Sequence, residues 1–147
     1  MMITLKQINT DNIEDILALD VSDTQRNFVA STAVSLAKAY VYRDTAFPFA
    51  VYNGDEPVGF IMMGYYEAKS YYTLWEFMID QRFQGQGYGR QALELGIKYI
   101  RERFDPDAVY TGVKPENNIA KQLYRSIGFR YTGVTEDGME EMRLELR

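Results

Sequence analysis

The segment Trp75-Glu76-Phe77-Met78-Ile79-Asp80-Gln81-Arg82-Phe83-Gln84-Gly85-Gln86-Gly87-Tyr88-Gly89 constrains this chain more than any other. It reads as a strand that runs through a glycine loop into a helix, whose apolar positions include Leu93, Leu95, Ile97, Tyr99 and Ile100. A helix begins with backbone N–H groups that lack intrahelical partners, and its macrodipole is positive there. Phosphate therefore binds at such a point without a lysine, and glycines let the backbone come close to it. Two nucleotide-binding patterns are excluded. No Gly-Lys-Ser/Thr follows, as a P-loop requires, and the spacing is not Gly-x-Gly-x-x-Gly at a chain-leading strand.

The chemistry available at such a site is narrow. The 147 residues contain neither cysteine nor histidine. That removes thiolate metal sites, a cysteine acyl-enzyme and the commonest general base. Carboxylates, tyrosine, lysine, hydroxyls and backbone amides remain, and no metal is expected. The length and a 46% hydrophobic content suit one domain with one core. A formal net charge of -5 disfavours nucleic acid and suits a cationic small molecule. With no signal-like start and no long apolar stretch, the reading is cytoplasmic with no membrane partner, and a homodimer stays open.

Ile3 to Ile8 alternates as a first strand, and Ile13, Ile16, Leu17 and Leu19 follow at helical spacing with Thr10, Asp11 and Asn12 as caps. A second helix of about five turns is expected after Ser22-Asp23-Thr24, carrying Phe28, Val29, Leu36, Ala39 and Tyr40. Phe47 to Tyr52 and Glu56 to Tyr66 form a hairpin around Asn53-Gly54, with Tyr71 to Ile79 as the next strand. The helix after the glycines ends near Phe104-Asp105-Pro106. Asp107 to Val113 is a strand, Asn117 to Ile127 a helix, and a last hairpin turns at Asp137-Gly138. The expected fold is α/β of the α+β type, a mixed and mainly antiparallel sheet with helices on both faces.

The motif Gln84-x-x-Gly87-x-Gly89, with Phe83 and the strand Phe77-Met78-Ile79-Asp80 before it, resembles the acyl-CoA pyrophosphate motif of the GNAT N-acetyltransferases. Asn117-x-x-Ala120-x-x-Leu123-Tyr124-x-x-x-Gly128-Phe129 resembles that family's second motif at the expected distance. The likeness runs from about Phe47 to the C-terminus and implies an acetyl-CoA-binding core over residues 47–147. Residues 1–46 then form the helical layer that shapes the acceptor site. The resemblance implies that the strands Tyr71–Ile79 and Asp107–Val113 splay. It implies that Phe77, Met78 and Ile79 hold the pantetheine and acetyl group through their backbone. The pyrophosphate would rest on Gln84, Gly85, Gln86, Gly87, Tyr88, Gly89 and Arg90.

Tyr124 is then the acid that protonates the coenzyme A sulfur, and Asn117 caps its helix and contacts the pantetheine arm. The general base is Glu76 or Glu67, directly or through water; Glu76 is expected on the opposite strand face from both Trp75 and Phe77. The first half resembles the bacterial branch that includes diamine and spermine/spermidine acetyltransferases. It offers Glu14, Asp15, Asp20 and Asp23, with Glu67 and Glu76, as anions for a polyamine. An acetyltransferase for protein N-termini or lysines, and a non-catalytic acyl-CoA sensor, are the alternative functions.

Overall fold

The computed structural model describes residues 2–26 and 28–147; Met1 and Asn27 lie outside the described residues. In chain order the elements are β1 (Ile3–Lys6), α1 (Ile13–Leu17), α2 (Thr32–Val41), β2 (Ala46–Asn53), β3 (Glu56–Tyr66) and β4 (Tyr71–Ile79). A 3₁₀ turn at Gln81–Phe83 leads to α3 (Tyr88–Phe104), β5 (Ala108–Val113), α4 (Asn118–Ile127), β6 (Arg130–Glu136) and β7 (Met139–Glu145). The strands form one seven-stranded sheet in the order β1-β2-β3-β4-β5-β7-β6. Every pairing is antiparallel except that of β4 with β5. The mixed sheet is thus the one expected from the sequence.

Local chemistry accounts for the turns. Gly54 has φ 62 between the paired residues Asn53 and Glu56, and Asp137 and Gly138 have φ 53 and 77 in the last hairpin. Pro48 is tolerated in β2 because β1 pairs only with Ala50 to Asn53, so no ladder bond is needed beside it on that edge.

Helices cover both faces. On one face α3 buries Ala92, Leu93, Gly96, Ile97 and Ile100 against Ile61, Met63 and Val109. Gly96 allows this approach, since a Cβ there would lie 2.9 Å from Ile61 Cδ1. On the other face Ile16, Leu19 and Val21 pack with Ala50, Phe60, Met62 and Met78. Each fully buried aliphatic side chain contributes roughly 1.5–3 kcal/mol, so the two layers clamp the sheet from both sides.

The first half departs from the expectation in two places. The second helix starts at Thr32, not after Thr24. Ser31 caps it by accepting from the Val34 amide at 3.2 Å. Upstream, the Ser22 and Thr24 hydroxyls bond each other at 3.0 Å, and Gln25 N and Phe28 N close successive turns on Ser22 O and Gln25 O. At α1 the residue in the cap position, Asn12, makes no capping bond. Its side chain instead ties Asn9 N and Gln7 O together.

Candidate active site

The parallel ladder between β4 and β5 is short. It joins Tyr72, Thr73 and Leu74 to Val109, Tyr110 and Thr111, and then stops. Beyond Leu74 the edge of β4 that faces β5 has no strand beside it, so the backbone groups of residues 75–79 on that edge, other than the Ile79 carbonyl taken by Gln84 Nε2, are open to a ligand inside the molecule. The predicted splay is therefore present. A cavity of about 500 Å³ fills it, walled by residues 74–79, the glycine loop, the end of β5, α4 and the stretch before α2.

A β-bulge at Trp75 coincides with the splay. The register of β3 against β4 passes from Met63↔Leu74 to Met62↔Glu76, leaving Trp75 as the extra residue. The consequence corrects one expectation. Trp75 packs on the α1–α2 side and Phe77 on the α3 side. Glu76 interacts with the Ala30 amide and with Lys38 of α2, so it shares the face of Trp75 instead of alternating with it. The bulge aims the carboxylate into the cavity. Burial pushes its pKa up, opposed by the Ala30 hydrogen bond and the Lys38 charge.

Tyr124 lies at the vertex of the splay. It is 8% exposed, packed on Phe129, and hydrogen-bonded to Thr111, the last β5 residue paired with β4. The Thr111 hydroxyl is itself anchored on the Leu74 carbonyl at 3.2 Å. Burial drives the Tyr124 pKa up to about 12; the Thr111 hydrogen bond opposes this and the Glu76 charge adds to it. The phenol therefore keeps its proton at neutral pH and faces the same cavity as Glu76. Thr111 escaped the sequence reading, although a hydroxyl within an otherwise apolar buried strand was a visible signal.

The loop before α3 carries two glycines in the left-handed region. Gly85 and Gly87 have φ 79 and 81, and a Cβ at either would meet nothing within 4 Å. Among the described residues, no hydrogen bond is donated by the backbone amides of Gly85, Gly87, Tyr88, Gly89 or Arg90. The side chains around it serve the frame. Gln84 Nε2 donates to the Ile79 carbonyl at 2.9 Å, closing the loop on β4. Tyr88 Oη accepts from Asn53 Nδ2, and Arg90 pairs with Glu94 and reaches Ser126 Oγ at 2.7 Å. Gln86 and Arg90 do not line the cavity, whereas the other loop residues do. Asn117 lines it and caps α4 through Ala120 N at 3.3 Å.

The acidic acceptor residues divide. Asp20 and Asp23 do not line the cavity: both pair with Arg26, at 2.8 and 3.2 Å. Asp80, given no role in the sequence reading, proves structural. Its buried carboxylate accepts from the amides of Asp20 and Arg82 and from Arg82 Nε, joining the α1–α2 segment to the end of β4. Burial alone would raise its pKa, but these donors hold it below the usual carboxylate value. Glu67 sits apart from Glu76, exposed where β3 turns into β4, on a second cavity of about 520 Å³. Among the described residues no group of His, Cys, Asp or Glu could hold a metal ion. No helix among them is long and apolar enough to cross a membrane.

A sequence model described as the Acetyltransferase (GNAT) family matches residues 13–129. The chain is 30% identical to the spermine/spermidine N(1)-acetyltransferase of Bacillus subtilis, over 99% of each sequence. In structure it is similar to the PaiA N-acetyltransferase of Thermoplasma acidophilum in complex with coenzyme A, with TM-score 0.74, 12% identity and 99% of each chain covered. It is likewise similar to a spermidine N-acetyltransferase that is a chimera of the Vibrio cholerae protein and hSSAT, with TM-score 0.73, 17% identity, and 97% of this chain and 94% of that one covered. At such identities the structural likenesses bear on the fold, while the family model and the full-length Bacillus relative bear on descent. On those two matches, the chain belongs to the GNAT acetyltransferase family.

Proposed function

We propose that this chain transfers the acetyl group of acetyl-CoA directly to a primary amine of a polyamine such as spermidine or spermine. The observation that carries the reading is the pairing, within one cavity at the β4–β5 splay, of a protonated phenol and a carboxylate of raised pKa, beside a loop of unpaired amides. The residues fit the donor. Amides from Gln84 to Gly89 would hold its pyrophosphate, and the open edge of Phe77, Met78 and Ile79, with Asn117, its pantetheine arm. Bound there, acetyl-CoA supplies an acetyl group activated as a thioester.

The chain's own residues manage the protons. A primary ammonium must lose a proton before its nitrogen can attack, and Glu76, with its pKa raised, takes it directly or through water. One N–C bond then forms as one C–S bond breaks, and Tyr124 Oη gives its proton to the departing sulfur. The attacking nitrogen gives up its second proton to the phenolate as the amide forms, and the proton held by Glu76 passes to solvent, so the cycle closes with amide, free thiol and one released proton. With neither cysteine nor histidine to carry an acyl group, direct transfer is the simplest route. The full-length similarity to a spermine/spermidine acetyltransferase supports the polyamine acceptor.

The test is a panel of primary amines and of peptides with free N-termini or lysines, mixed with acetyl-CoA and read by release of free thiol. Spermidine or spermine should lead. Turnover of peptides alone would indicate a protein acetyltransferase, and acetyl-CoA binding without any turnover a sensor.

A further inference from the structure

The second cavity lies beyond Trp75, and neither the proton chemistry nor the donor uses it. Tyr42 from the end of α2, Tyr66 and Tyr71 from the β3–β4 turn, and Trp75 wall it, with Glu67 at its rim. The rings are arranged in pairs: Tyr42 and Trp75 centroids are 5.5 Å apart, and those of Tyr66 and Tyr71 5.8 Å. Tyr71 is held in place by stacking on Tyr110 at 3.9 Å and by donating its hydroxyl to Glu141. Leu74, Trp75, Gly112 and Met139 line this cavity and the acetyl cavity alike, so the two spaces adjoin at the splay vertex.

Tyrosine and tryptophan faces attract ammonium groups through the ring quadrupole and accept methylene chains by apolar contact. An exposed carboxylate adds a counter-charge. The lysine at this turn, Lys69, does not compete, because Glu136 and Glu141 already bind it. Tyr71 is three residues before Leu74, about 10 Å along a strand at ordinary rise. The extended chain of a triamine spans that distance, whereas a short monoamine does not.

We infer that the tyrosine-lined cavity at Glu67 is the subsite for the distal ammonium of the acceptor, while its reactive amine lies between Glu76 and Tyr124. The inference rests on the polyamine reading above and assigns Glu67 to recognition, not to proton transfer.

The test compares spermidine with butylamine in wild type, Glu67→Gln and Tyr66→Leu, all at saturating acetyl-CoA. Both substitutions fall on exposed positions, Tyr66 at the end of β3 and Glu67 in the turn that follows, and circular dichroism checks that the variants keep the fold. Wild type should prefer spermidine at least tenfold in kcat/KM. Each variant should lose about tenfold in kcat/KM on spermidine, chiefly through KM, and change little on butylamine. An equal loss on both acceptors, no loss on spermidine, or a wild type that uses butylamine as well as spermidine overturns the subsite while leaving amine acetylation standing. A wild type that acetylates other amines but not spermidine overturns the polyamine reading, and the subsite with it.

Discussion

Replacing Tyr124 by Phe separates what the phenol does for the fold from what it does for the reaction. The ring is almost fully buried against Phe129, and phenylalanine keeps that packing. Only the hydroxyl and its bond to Thr111 are lost. Thr111 is not orphaned, since it still donates to the Leu74 carbonyl at 3.2 Å. A hydrogen bond of this kind is worth about 0.5–1.5 kcal/mol net, which lowers the melting temperature of a domain this size by roughly 3 °C. Loss of a general acid costs about 10²- to 10⁴-fold in rate, or roughly 3–5 kcal/mol of activation free energy. The catalytic effect should therefore exceed the structural one severalfold. The assay is thiol release with spermidine at saturating acetyl-CoA, beside calorimetry of acetyl-CoA binding and a thermal melt. We expect kcat to fall by at least two orders of magnitude with donor affinity nearly unchanged. A Tyr124→Phe enzyme within threefold of the wild-type kcat refutes the assignment. So does a rate loss that merely follows a collapse in stability.

Three further outcomes are expected. Thr111→Val should lower kcat about tenfold or more by releasing the phenol from its fixed orientation, while Thr111→Ser restores it; a valine variant with wild-type kcat and an unchanged pH profile removes the positioning role. Glu76 has a pKa above its ordinary value of 4.5, so the fold favours its protonated form, and that stability is lost as pH rises above 4.5 through the folded pKa. Glu76→Gln should thus gain melting temperature relative to wild type between about pH 4.5 and neutrality, yet turn over slowly, with the deficit shrinking toward alkaline pH as neutral amine accumulates; a deficit that is the same at all pH counts against Glu76 as base. Gly87→Val adds a Cβ that has no protein atom within 4 Å but must hold φ near 81, at a cost of about 1–2 kcal/mol, and should weaken acetyl-CoA binding at least tenfold by calorimetry; an unchanged affinity in a folded variant moves the donor away from this loop.

The parts of this structure legible in the sequence are those fixed by local chemistry. Asn53-Gly54 and Asp137-Gly138 announce their hairpins through the positive φ they permit, and the glycines before Tyr88 announce the start of α3. The start of α2 was misplaced because two capping signals compete. Ser22-Asp23-Thr24 and Ser31 both suit a helix N-terminus, and the choice depends on Arg26 drawing Asp20 and Asp23 into ion pairs and on Phe28 and Val29 facing the cavity. The orientation of Glu76 was not legible either. Alternation along a strand is a local rule, whereas the Trp75 bulge exists only in the register of β4 against Met62 and Met63. Tyr124 and Asn117 were visible through a motif, but the link from Tyr124 through Thr111 to Leu74 belongs to the sheet order that sets β5 beside β4. The tyrosine cavity is the extreme case, gathering residues from α2, the β3–β4 turn and β4 that no spacing in the chain brings together.

The central claim is acetylation of a polyamine in the β4–β5 cavity, and mass spectrometry of spermidine incubated with the purified chain and acetyl-CoA tests it most directly. The account predicts spermidine one acetyl group heavier, formed in step with free thiol and lost in Tyr124→Phe. Unmodified spermidine, in the presence of steady thiol release to a peptide or another amine, would contradict it.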